Sequence, residues 1–148
     1  MPVRAKGESD PDTVPFLERQ LGYQLRRASA TLLGELAQSL AELDLRIADA
    51  TILHLIDEQP DITQSTLGRM LGIKRANMVP LAAGLTERGL IELGLTDGRS
   101  QGLRVTPAGR ALADQIRAQM RAHDAGVLPE LSADERRLLL SRLSTIWK

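Results

Sequence analysis

Two polar clusters interrupt an otherwise aliphatic chain: Lys74, Arg75 and Asn77, then Asp97, Gly98, Arg99, Ser100 and Gln101 inside LTDGRSQGLRVTPAG. Guanidinium and carboxamide groups are planar and multidentate, suited to anions and to flat hydrogen-bonding edges. Gln64, Ser65 and Thr66 add hydroxyl and amide groups a few residues upstream. None of this is nucleophilic or acid–base machinery. The chain has no cysteine, no Gly-x-Ser-x-Gly elbow and no phosphate-cradling glycine loop. His54 and His123 are 69 positions apart, neither with a second histidine at ligand spacing, so both read as structural or surface groups. The expectation is a binding protein rather than an enzyme, with no cofactor and no metal.

Composition narrows the partner. A chain of 148 residues with 43% hydrophobic content is long enough for one domain with a real core. No run approaches the ~18 apolar residues of a membrane span, and MPVRAKGESDPDTVP lacks the apolar centre of a signal peptide, so the expected compartment is the cytoplasm. Net charge is zero, yet it is segregated. Residues 1–63 carry 6 Lys/Arg against 11 Asp/Glu, residues 64–110 carry 7 against 3, and residues 111–148 carry 6 against 5. The positive surplus falls on the segment that holds the polar clusters, which suits an anionic partner.

Those clusters need elements to hold them. Residues 1–12, rich in Pro, Gly and charge, read as a disordered arm. From about Thr13 to Leu43, leucines and alanines recur every three or four residues, which predicts one long amphipathic helix of ~45 Å. A second helix spans about Ala48 to Glu58 and stops before Pro60. Thr63 suits an N-cap for a helix from Gln64 to Leu71, and Gly72 suits its left-handed end. A further helix runs from Arg75 to Arg88 with Met78, Leu81, Ala82 and Leu85 inward, closed by Gly89. Strands Leu90–Leu95 and Gly102–Thr106 then flank the polar tip. Thr106 and Pro107 start a helix to about Ala125, and Ser132 with Glu135 forms a capping box for the last one. Two helices joined by a tight glycine turn and followed by a hairpin make a winged helix-turn-helix: mainly α, with a small β-hairpin wing.

Over residues 13–148 the sequence resembles the MarR (multiple antibiotic resistance regulator) family of transcription factors. The resemblance is carried by TQSTLGRMLGI, LTERGLIE and TDGRSQGLRVTPAGRAL: the junction Leu85, Gly89 and Leu90, the tip Asp97 and Arg99, and Val105, Thr106 and Gly109, with Val105 where the family has Leu. It implies a homodimer joined by helices over 13–45 and 108–148, a DNA-binding lobe over 46–107, and often a small-molecule pocket between them. An aromatic acid or its coenzyme A thioester is the effector class it suggests.

On that reading the helix from Arg75 enters the major groove, where arginine pairs with guanine and asparagine with adenine, ~1–3 kcal/mol per good pair. Lys74, Arg75, Asn77 and Pro80 face the groove, while Gln64, Ser65 and Thr66 hold phosphate. Arg99, with Ser100 beside it, reaches the narrower minor groove. Asp97 and Gly98 either orient Arg99 or simply close the turn. Pro80 departs from the polar residue common in relatives, and a mid-helix proline costs ~3 kcal/mol unless the helix kinks. It either packs on a thymine methyl or marks weakened base recognition. Tyr23, Arg26, Arg27 and His54 are candidates for an effector pocket, the two arginines alternatively pairing with the acidic N-terminal segment. The functional expectation is a homodimeric repressor released from a pseudo-palindromic operator by a small molecule; the alternative is a winged-helix protein-interaction scaffold.

Overall fold

The computed structural model describes residues 15–94 and 101–147. A short 3-10 turn, Phe16–Arg19, precedes helices α1 (Leu21–Ala41), α2 (Ile47–Glu58), α3 (Gln64–Leu71) and α4 (Arg75–Glu87). Strands β1 (Ile91–Gly94) and β2 (Gly102–Val105) follow, then α5 (Pro107–Gly126) and α6 (Ala133–Trp147).

The capping chemistry explains most boundaries. Thr63 Oγ1 accepts from the Thr66 N–H at 3.2 Å, and Gly72 ends α3 at φ +64°. Gly89 closes α4 at φ +67°, a backbone that residues with a Cβ rarely adopt. Thr106 Oγ1 accepts from the Gly109 N–H at 3.0 Å, with Pro107 in the first turn of α5. In the box before α6, Glu135 Oε2 accepts from the Ser132 N–H at 2.9 Å, and the Glu135 N–H donates to Ser132 Oγ at 3.3 Å.

The expected single N-terminal helix is broken. Gln20 is extended (φ −87°, ψ 120°), so α1 starts at Leu21 and its 21 residues span ~32 Å rather than ~45 Å. Two side-chain amides stabilise the break: Gln20 Nε2 donates to the Phe16 carbonyl at 3.3 Å and Gln24 Nε2 to that of Glu18 at 2.7 Å. Helix α4, by contrast, continues through Pro80 to Glu87.

One core joins the elements. Leu36 and Leu40 from α1, Ile52, Leu53 and Ile56 from α2, and Met78, Ala82 and Leu85 from α4 are buried with Ile91, Leu103, Ala113 and Ile116. The 3-10 turn and α6 hold no fully buried residue in the single chain. Phe16, Leu21, Leu138, Leu140 and Ile146 are each more than half exposed. A lone subunit therefore leaves much of its terminal apolar surface in water.

Candidate nucleic-acid interface

Helices α3 and α4 meet at a cleft of about 460 Å³ that also touches the hairpin, lined by Gln64, Ser65, Arg69, Arg75, Leu93 and Gln101 among others. Its described lining residues include two guanidiniums and no carboxylate, which gives this part of the recess a positive character. Gln64, Ser65 and Arg75 were expected on the binding face, and the structure brings them together. Arg69 and Gln101 join them; a lone arginine in the last turn of α3 carries no periodic signal. Thr66 is turned to local use, its hydroxyl accepting from Thr63 Oγ1 at 3.0 Å and from Arg69 Nη2 at 3.3 Å.

Arg75, Asn77 and Pro80 of α4 and Lys74 at its N-cap are exposed, whereas Met78, Ala82 and Leu85 are buried. Lys74 occupies the N-cap position, where its donor-only ammonium makes no capping bond to the helix N–H groups. Asp97, Gly98, Arg99 and Ser100 lie outside the described residues.

The base of the wing is described, and it is braced. The strands pair antiparallel, Ile91 with Val105 and Gly94 with Gly102. A third segment, unexpected from sequence, joins through a single bridge: the Leu103 N–H donates to the Ile62 carbonyl at 2.8 Å and the Asp61 N–H to that of Leu103 at 2.9 Å. Glycines make room for it, since a Cβ on Gly102 would sit 2.6 Å from the Asp61 backbone. Arg104 then grips the Asp61 carboxylate with both Nε and Nη2, at 2.6 and 2.7 Å. That hydrogen bond holds the Asp61 carboxyl below the usual carboxylate range.

The hairpin is also tied to α4 and α5. Thr106 Oγ1 donates to the Gly89 carbonyl at 2.6 Å, and the Thr106 N–H donates to that of Leu90 at 3.0 Å. Gly109 passes so close that an added Cβ would lie 1.9 Å from the Leu90 oxygen. Leu85, Gly89, Leu90, Thr106 and Gly109 thus form one structural joint.

Behind the lobe, Asp57 of α2 has a side chain only 4% exposed between two arginines of α5. Arg117 Nη1 and Nη2 both donate to its Oδ2 at 2.8 Å, and Arg110 Nη1 lies 3.0 Å from its Oδ1. His54 borders this seam, 3.0 Å from Glu58 and 3.5 Å from Arg117. Tyr23, Arg26 and Arg27 form their own cluster on the N-terminal half of α1, both guanidiniums within 6 Å of the tyrosine ring: 5.6 Å for Arg26 and 5.8 Å for Arg27. Within one subunit the four expected effector residues are therefore divided between two places. His123 Nε2 lies 3.4 Å from Glu35, across the contact of α5 with α1. Among the described residues no helix is long and apolar enough to cross a membrane.

A tight-turned helix pair with a braced hairpin and a cationic cleft defines a winged helix-turn-helix protein. The chain belongs to the MarR family, whose model matches residues 43–100. The HTH-type transcriptional repressor Rv2887 of Mycobacterium tuberculosis is 31% identical over 119 residues, 79% of this chain and 86% of that protein. The crystal structure of Rv2887 in complex with DNA aligns with a TM-score of 0.74 at 28% identity, covering 87% of this chain and 98% of that one. The structure of CouR from Rhodococcus jostii RHA1 bound to p-coumaroyl-CoA aligns with a TM-score of 0.81 at 26% identity, covering 88% and 93%.

Proposed function

We propose that this chain is a homodimeric transcriptional repressor that binds a pseudo-palindromic operator and leaves it when a small molecule binds. The observation that carries the reading is the face made by α3 and α4: exposed Lys74, Arg75 and Asn77 beside a cleft whose described lining includes Arg69 and no carboxylate. Its likeness to a DNA-bound repressor over 87% of the chain supports it. The apolar 3-10 turn and α6 supply the surface for a second copy, setting two α4 helices about one DNA turn apart, ~34–36 Å. Lys74, Arg75, Asn77 and Pro80 face the major groove, Arg99 and Ser100 the minor groove, and Gln64 and Ser65 the backbone, while Thr66 steadies the start of α3 and Arg69 beside them. Asp97 and Gly98 shape the wing turn.

The likeness to CouR with p-coumaroyl-CoA supports an aromatic acid or its thioester as effector, with Tyr23, Arg26, Arg27 and His54 as candidate contacts. Such a ligand acts by binding best to a lobe spacing that misfits successive grooves. The protein works in the cytoplasm and turns nothing over.

The test is affinity for the chain's own upstream DNA across a range of salt concentrations. Phosphate contacts release counterions, so the logarithm of affinity should fall steeply and linearly with that of salt. A flat dependence would favour the protein-interaction scaffold and overturn the repressor.

A further inference from the structure

Helix α4 turns Met78, Ala82 and Leu85 into the core, which points Ala76, Val79, Pro80 and Ala83 outward; all four are exposed. Val79 alone keeps 47% of its surface in water. Hydrogen-bonding side chains gather at the N-terminal end, in Lys74, Arg75 and Asn77. Pro80 offers no N–H. Thr86 is the next hydroxyl along the helix, and it donates back to the Ala82 carbonyl at 2.9 Å. The middle of the helix therefore presents hydrocarbon where an operator's base edges would lie. In the major groove the one hydrocarbon feature of a base pair is the C5-methyl group of thymine.

We infer that Val79 and Pro80 are specificity-determining residues that read thymine methyl groups, with Arg75 and Asn77 reading hydrogen-bonding edges at one end of the same half-site. The inference rests on the repressor reading above and names what that repressor prefers. Charge favours a duplex over a protein as occupant, because the described residues lining the adjoining cleft include Arg69 and Arg75 and no carboxylate. Burying one methyl against an aliphatic side chain is worth roughly 0.8 kcal/mol, about fourfold in affinity.

Deoxyuridine tests this directly, since it removes the methyl and leaves every hydrogen-bonding group. A duplex enriched by the wild-type protein from a random-sequence pool would be resynthesised with one thymine at a time replaced by deoxyuridine. We expect about a fourfold loss of affinity at one or more positions of each half-site. In Val79→Ala, an exposed substitution that leaves the core intact, the loss at one such position should shrink toward none. That coupling separates contact from a change in DNA shape. An enriched duplex bound equally well without its methyl groups would overturn the inference and leave the repressor standing. Losses that persist undiminished in both Val79→Ala and Pro80→Ala would overturn the assignment to these residues. No enrichment at all would overturn the repressor itself.

Discussion

Arg104 holds Asp61 in a two-pronged ion pair, Nε to Oδ1 at 2.6 Å and Nη2 to Oδ2 at 2.7 Å, linking β2 to the segment just before α3. The guanidinium lowers the Asp61 carboxyl from its ordinary value, and Ser132 lowers that of Glu135 in the same way. A carboxyl depressed in the folded state contributes stability above its unfolded pKa and loses it as pH falls through the folded one. Melting temperature should thus fall with acidification below about pH 4. Asp61→Asn should flatten that fall. An unchanged acid limb in the variant would remove the pair from the account.

Gly109 lies against the Leu90 carbonyl so closely that a methyl group has nowhere to go. Gly109→Ala forces backbone apart at the start of α5 and should destabilise by at least about 2 kcal/mol. Urea denaturation reads it as a lower midpoint at constant slope. A midpoint equal to that of the wild type would show that the joint yields freely.

Asp57 is the buried partner of two guanidiniums that themselves reach solvent. Asp57→Ala should cost about 2–3 kcal/mol, below the figure for a fully buried pair because both arginines can rehydrate. The same denaturation experiment measures it. A loss under half a kilocalorie, roughly the scatter of a surface substitution, would mean the seam is ornamental.

Leu140 is 60% exposed on α6, which holds no fully buried residue within the subunit. A carboxylate placed there by Leu140→Glu should weaken self-association by about 2 kcal/mol or more. Sedimentation equilibrium would show monomer at concentrations where the wild type is dimeric. An unaltered mass distribution would move the dimer contact away from α6.

Arg99→Ala should weaken operator binding by about 1–3 kcal/mol and leave the melting temperature in place. Gel-shift titration against the operator checks it. Normal affinity would take Arg99 out of the interface.

Local chemistry made much of this fold readable. Thr63, Gly72, Gly89, Thr106 and Ser132 each act within a few residues of themselves, and each does in the structure what its type predicts. That Gln64, Ser65 and Arg75 share one face was an implication of the family resemblance, since periodicity by itself marks only the inward stripe of α4. What escaped depends on distance or on competition. Asp57 finds Arg117 across 60 residues, and Asp61 finds Arg104 across 43, with no sequence pattern to announce either pair. The Ile62 bridge is too short to show alternation. The break at Gln20 escaped because leucine spacing runs straight through it, while side-chain amides from Gln20 and Gln24 take over the released carbonyls.

Strand β2 ends at Val105 and α5 begins at Pro107, with Thr106 between them fastened to the carbonyls of Gly89 and Leu90 through its hydroxyl and its N–H. No slack exists there. Any swivel of α5 acts on the hairpin like a crank on its shaft, and the end of α4 is carried along. Thr106 thus makes the base of the hairpin, the end of α4 and the start of α5 a single mechanical unit.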